Sequence, residues 1–215
     1  MPRPRSLTQD RIAAAALAVI DRDGLAALSM RAVSTELGVS TMALYRYVDD
    51  RRELEGLVVE LVLGGVDVSP PSEGAWQERI AVLVGRMRDH VGAHPEAVPL
   101  TMIHRHGSAG VLRWSEAVLA ILAEAGLDGP ERVIALRGLL SYVIGAVQLE
   151  HLGPLSGEGT AAMAGLSPAE FPHLAETAGH ARLVGADEEF RGGLAMVLRG
   201  IRAGAGPFRS RGGRG

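Results

Sequence analysis

Gly38 stands between two short runs that each carry a helical apolar period, and this junction limits the folds open to the chain more than any other feature. Ahead of it, Met30, Val33 and Leu37 fall at i, i+3 and i+7, with Ser29 placed to cap the helix they define. Gly38 supplies the left-handed residue that stops such a helix, and Val39 plugs the turn. Ser40 or Thr41 then caps a second short helix in which Leu44 and Val48 face inward. Thr41, Met42, Tyr45 and Arg46 are left outward at its exposed start. Two helices joined this tightly make a helix-turn-helix, and such an exposed helix start fits a DNA major groove.

The flanking segments complete a compact head. Thr8 can cap a first helix whose stripe is Ile12, Ala15, Ala16, Val19 and Ile20, ending near Gly24. Asp50 with Glu53 three residues on has the pattern of a capping box. It opens a fourth helix, with Leu54, Leu57, Val58, Leu61 and Val62 as the stripe, leading away from the head. Met1 to Leu7, with two prolines and two arginines, is expected to be a flexible arm.

Gly64-Gly65 and the run Ser69-Pro-Pro-Ser-Glu-Gly74 form the clearest break in the chain. We therefore divide it into a helix-turn-helix domain over 1–65, a body over 75–203 and a disordered tail over 204–215. The body resumes with Trp76, Ile80, Leu83, Val84, Met87 and Val91, a helix stopped by Gly92 and Pro95. After a short apolar piece, His104 to Gly110 is expected as a turn. Val111 to Ala125 follows as a helix with Trp114, Val118, Ile121 and Leu122 inward. Pro130 suits the first position of the longest helix, to Leu152, where Val133, Leu136, Leu140, Ile144 and Val147 are apolar on nearly every side. Such a helix must be buried on more than one face. Gly153 to Ser167 reads as a long loop, followed by a short helix from about Pro168 and a last one over Asp187–Arg202, striped by Phe190, Leu194, Val197, Leu198 and Ile201. No strand-type alternation occurs, so the expected fold is all-α, with about nine or ten helices.

Charge distribution says more than its sum. The net charge is −3, yet residues 1–52 hold eight arginines against six carboxylates, a mildly basic head on an acidic body. That suits site-specific binding by a dimer better than non-specific coating. With 47% hydrophobic and 22% charged residues the chain can bury a sizeable core. It has no cysteine, which excludes disulfides and thiolate metal sites. The first twenty residues carry no signal-peptide pattern, so a cytoplasmic protein without membrane attachment is expected.

The run Ser-Met-Arg-Ala-Val-x-x-Glu-Leu-Gly-Val-Ser-x-Met-Ala-Leu-Tyr-Arg-Tyr-Val over 29–48 resembles the helix-turn-helix of the tetracycline-repressor (TetR) family. The likeness is close over about 8 to 63, and a weaker one to the tetracycline-repressor-type ligand domain runs from about 75 to 152. The resemblance implies a ligand-responsive regulator, a repressor acting as a homodimer on a palindromic operator. It places Arg31, Thr41, Met42 and Tyr45 where family members contact bases, and Tyr47 and Arg51 where phosphates are held. The chemistry is compatible. Arg31 can fork onto guanine, Thr41 can bond a base edge, and Met42 can press on a thymine methyl. Ser40 and Arg46 complete the candidate DNA surface, while Tyr47 stays open between phosphate contact and packing within the head. The family also pairs its two long C-terminal helices across the dimer as a four-helix bundle. In the tetracycline repressor a histidine after the Arg-x-Gly turn holds the drug's magnesium. This chain has Val111 near that place, although Glu150 matches an acidic position of the site.

For the effector, an unidentified small molecule, we select large or polar residues on otherwise apolar helices: Met87, His90, Met102, His104, Trp114, Tyr142, Gln148 and His151. No cofactor is called for. His104, His106, His90 and Glu150 could gather a metal, but alternating histidines in a turn are commonly surface residues, and we assign no metal site. Gly157-Glu-Gly159-Thr-Ala-Ala162 mimics a dinucleotide fingerprint without the strand that it needs. No nucleophile elbow, zinc-protease or Walker sequence is present, so an enzyme or a binding protein without a DNA role is the alternative reading. A purely architectural DNA binder is disfavoured by the long apolar body.

Overall fold

A computed structural model of the chain describes residues 7–204. Most of the arm and the tail lie outside the described residues. Within them there are eleven α-helices and no strand. In chain order these are α1 (Gln9–Asp23), α2 (Met30–Leu37), α3 (Thr41–Leu44), α4 (Arg51–Gly64), α5 (Trp76–Gly92), α6 (Val98–His104), α7 (Ala109–Glu124), α8 (Gly129–Leu152), α9 (Glu158–Ala164), α10 (Pro172–Ala181) and α11 (Ala186–Gly204). Short 3₁₀ turns at Leu25–Ala27, Pro95–Ala97 and Arg105–Gly107 join some of them.

The caps sit where the side-chain chemistry puts them. Thr8 accepts from the Arg11 amide, Ser29 from Ala32 and Ser40 from Ala43, so Ser40 and not Thr41 starts α3. Gly38 closes α2 in the left-handed conformation at φ 67°. The capping box at α4 is shifted by one residue. Asp50 accepts from the Glu53 amide at 2.8 Å, but the Glu53 carboxylate takes the amide of Asp49 at 2.7 Å.

Departures from the expected elements have local causes. The apolar piece before His104 is a helix, α6, because Pro99 falls in its first turn, where a missing N–H costs nothing. His104 therefore ends a helix, and the turn begins at Arg105. The expected loop over 153–167 contains α9, started by Gly157 and carried by alanines. The following helix begins at Pro172, which takes the first-turn position, and not near Pro168. On α4 the buried face is wider than the expected stripe: Val59 and Leu63 are buried, whereas Leu61 is exposed. The reason is that α4 is packed by α1 along one side and by α6 and α7 along another.

One continuous core results. It runs from Ile12 and Ile20 of α1, through Leu54, Val58 and Val62 of α4, to Ile80, Trp114 and Leu139 of the body. Helix α4 is thus shared between head and body. Helix α8 packs on α5, α7 and α11, burying Ala135, Leu139, Val143 and Val147. Its opposite side is not covered by this chain: Ile134 is 69% and Leu149 59% exposed. By length and composition α8 would also pass for a membrane span, and only 22% of that apolar window is buried. The expected burial on more than one face is therefore not met within a single chain. Helices α9 and α10 pack mainly on each other and leave Met163, Phe171 and Leu174 exposed.

Candidate nucleic-acid interface and effector cavity

The head presents one outward face built on α2 and α3. Arg31, Met42, Tyr45, Arg46 and Tyr47 are exposed there, Met42 at 75%, while Leu44 and Val48 anchor the face from beneath with at most 1% exposed. Among the described residues Arg31 and Arg46 make no ion pair, so their guanidiniums are free for an external acceptor. Arg51 differs, because its Nε donates to Glu55 at 2.8 Å. Two other candidates also have internal duties. Ser40 caps α3, and the Thr41 hydroxyl lies 3.1 Å from that of Ser34, tying α3 to α2. Tyr47 is 36% exposed, which leaves its ring neither sequestered nor fully presented.

The body contains an apolar cavity of about 60 Å³, lined by residues from α4 to α8. Met87, Met102 and Trp114 of the eight effector candidates line it. The Trp114 indole N–H is already spent on the Leu83 carbonyl at 3.0 Å, so the ring serves as a wall. Residues not selected for the effector also line it: Leu63 at the end of α4, Thr101, Arg105 and Val111. Arg105 belongs to the His-Arg-His-Gly run, and a turn there gave no indication that its side chain would line the cavity. The other five candidates lie elsewhere. His90 packs against Gly65, where an added Cβ would meet its Nε2 at 2.7 Å. His104 faces Glu55 of α4, Nε2 to Oε2 3.1 Å. Tyr142 donates to the Phe190 carbonyl at 2.6 Å, and Gln148 and His151 flank a surface groove with Pro95 and Pro99.

Helix α4 is gripped along its length by the body. Besides the His104 contact, Ser108 donates to Glu60 at 2.8 Å, and Gly110 of α7 meets the backbone of Leu63 and Gly64 directly. A second link joins the head through α1, His94 Nδ1 to Asp21 Oδ2 at 2.8 Å. A cavity of about 60 Å³ is far below the ~300 Å³ at which ligand sites begin, so any effector must part these helices to enter. His90, His104, His106 and Glu150 are not gathered: His104 faces Glu55, and Glu150 accepts from Arg88 at 2.7 Å. Glu150 is thus engaged outside the cavity, while Val111 faces into it, so the tetracycline–magnesium donor set is not assembled here.

Residues 12–54 match the family described as bacterial regulatory proteins, tetR family, and residues 69–204 the tetracyclin repressor-like C-terminal domain. An HTH-type transcriptional regulator of Saccharopolyspora erythraea is 32% identical over 146 residues, 68% of this chain and 62% of the relative. The HTH-type transcriptional repressor DrrR1 of Streptomyces coeruleorubidus is 31% identical over 171 residues, 79% of this chain and again 62% of the relative. The chain thus spans less than two thirds of the length of these two proteins. Among solved structures, the TetR family protein ActR of Streptomyces coelicolor, in complex with (S)-DNPA, superposes with a TM-score of 0.81 at 28% identity, covering 94% of this chain and 100% of ActR. With a helix-turn-helix face, a shared helix α4 and an apolar cavity behind it, the chain belongs to the TetR family of bacterial transcriptional regulators.

Proposed function

We propose that the protein is a cytoplasmic, homodimeric repressor that holds a palindromic operator and releases it when a small apolar or aromatic molecule fills the cavity. In this reading 1–65 is the DNA-binding unit and 75–203 the ligand-binding and dimerisation unit. Arg31, Thr41, Met42 and Tyr45 read bases, Ser40, Arg46, Tyr47 and Arg51 hold the backbone, and Met87, Met102 and Trp114 meet the effector. Relatives support the two halves of the reading: DrrR1 is named a repressor, and ActR has been crystallised with actinorhodin as well as with (S)-DNPA. The observation that carries the coupling is that Leu63, on the last turn of α4, is part of the cavity wall.

The mechanism follows from rigidity. Two recognition helices must sit about one DNA turn apart, ~34 Å, to enter successive major grooves. Helix α4 begins at Arg51, beside the reading face, and ends in the body core. A molecule that spreads the cavity displaces Leu63, tilts α4 and changes the spacing of the heads. Differential affinity of this kind is typically worth ~1 to 3 kcal/mol, and linkage requires operator DNA to weaken the ligand by the same factor. The test is calorimetric titration of a cavity ligand into the dimer, with and without saturating operator. Equal affinities in the two titrations would show that the cavity does not control DNA binding.

A further inference from the structure

Three side chains form a polar chain from the body to the start of α4. His104, the last residue of α6, meets Glu55 Oε2 through Nε2 at 3.1 Å, and Arg51 Nε donates to the other oxygen, Oε1, at 2.8 Å. A carboxylate only accepts, so the His104 Nε2 must carry the hydrogen. His104 and Glu55 are sheltered, each side chain 17% exposed, whereas that of Arg51 is 51% exposed. Among the described residues Arg51 uses only its Nε, which leaves both terminal nitrogens of the fork for an external acceptor.

Glu55 has one charge to share. While His104 occupies Oε2, the carboxylate meets the guanidinium through a single oxygen, and the far end of the fork stays available to a phosphate. Arginine and carboxylate otherwise favour two parallel bonds. Without His104, Oε2 becomes a sheltered acceptor lacking its donor, and turning it onto Arg51 is the nearest way to satisfy it. That closure neutralises Arg51 and takes up donors that a phosphate would use. We propose that His104 is a positioning residue for DNA binding: by holding Glu55 off the fork of Arg51, it keeps that arginine free to hold the DNA backbone. The effect is local and electrostatic, and it needs no change in the spacing of the heads. It rests on the reading of Arg51 as a phosphate-holding residue.

The test titrates the full chain, by fluorescence anisotropy, against the DNA upstream of its own gene and a scrambled duplex of equal length, at several salt concentrations. Arg51→Ala should weaken both duplexes and lower the salt slope by about one. His104→Ala should weaken both by up to about fivefold, the upper end of what an exposed ion pair is worth, because a phosphate contact is blind to sequence. In a Glu55→Gln background, which has no charge to turn onto Arg51, His104→Ala should cost nothing further. His104→Gln, whose amide can still donate to Glu55, should recover most of the loss. Circular dichroism melting checks folding, and His104→Asn, too short to reach Glu55, replaces His104→Ala should that variant not fold. If Arg51→Ala changes neither affinity nor slope, the phosphate reading of Arg51 falls and the role of His104 with it. Arg51 keeps its role and His104 loses its own if His104→Ala leaves both duplexes unchanged, weakens the upstream duplex alone, matches His104→Gln, or costs as much in the Glu55→Gln background.

Discussion

A Cβ placed on Gly110 would lie 2.3 Å from the carbonyl oxygen of Leu63, so the first turn of α7 rests on the backbone of the last turn of α4. Nothing flexible intervenes, and a methyl group there must push one helix off the other. Gly110→Ala is therefore expected to cost about 1 to 3 kcal/mol by overpacking. The gain in helix propensity, at most about 1 kcal/mol, offsets little of this near a helix start. Urea denaturation measures the loss. The same variant should weaken the operator by tilting α4, and a variant as stable as wild type would show that the two turns can separate without strain.

The tether between α5 and α11 makes a second, pH-dependent prediction. Asp187 accepts from Arg88 at 2.8 Å, and Arg88 also meets Glu150 and lies over the Phe190 ring at 4.6 Å. The bond from Arg88 holds the Asp187 carboxyl below its ordinary value, with Arg191 adding to the effect. Burial draws the Arg88 guanidinium down, but its bonds to Asp187 and Glu150 outweigh that and leave it raised. Because the folded-state value of Asp187 is depressed, its contribution is present above the unfolded carboxylate range and is lost as pH falls through the folded value. Asp187→Asn should thus be less stable than wild type at about pH 7, and the gap should shrink as pH falls below the ordinary aspartate range. A constant gap across that range would mean that the aspartate acts through something other than its charge.

The head was legible in the sequence because each signal there was local. Ser29, Gly38 and Asp50 act on backbone groups within four residues, and Leu44 and Val48 are buried by their immediate neighbours. The body was legible as helices, including the inward Trp114 and Val118, but not as a site. Whether Arg105 or His104 faces the cavity depends on the direction in which α6 leaves its first turn, and no spacing rule carries that information. Tyr142 was chosen as large and polar, yet its hydroxyl is consumed by Phe190, a residue 48 positions away. The α9–α10 pair was missed in part because glycine and alanine give little apolar period to read.

The uncovered side of α8 yields the third prediction. Ile134, Leu149 and Leu152 of α8 and Met196 of α11 are exposed, the last at 66%, an apolar area that a soluble monomer rarely shows to water. In the proposed dimer these side chains meet their counterparts across a twofold axis. Ile134→Glu and Met196→Glu should split the dimer without unfolding the chain, because neither side chain belongs to the core. Leu194 is a poorer choice, since it is 2% exposed within one chain and its loss would confound folding with association. Sedimentation velocity reads the outcome, and a wild-type protein monomeric at micromolar concentration would remove the interface altogether.

The reading face gives the last prediction, in which DNA affinity and stability must separate. Arg31 and Tyr45 are exposed, and Arg31 has no ion-pair partner among the described residues. Truncating either removes nothing that the fold uses, so Arg31→Ala and Tyr45→Ala should melt as wild type does. Each should lose about 1 to 3 kcal/mol of operator affinity if its side chain meets a base edge. Leu44→Ala is the contrasting case: fully buried beneath the same face, it should cost about 2 to 5 kcal/mol of stability before any DNA is added. Thr41→Ala should fall between them, because its hydroxyl is shared with Ser34 and its loss loosens α3 on α2. Gel shifts on the DNA upstream of the protein's own gene, at several salt concentrations, distinguish the kinds of contact. A base-reading residue changes affinity for the site alone, whereas a phosphate-holding one such as Arg46 should weaken all sequences alike and reduce the salt slope by about one. If Arg31→Ala and Tyr45→Ala both leave the site affinity unchanged, the α2–α3 face is not the surface that reads DNA.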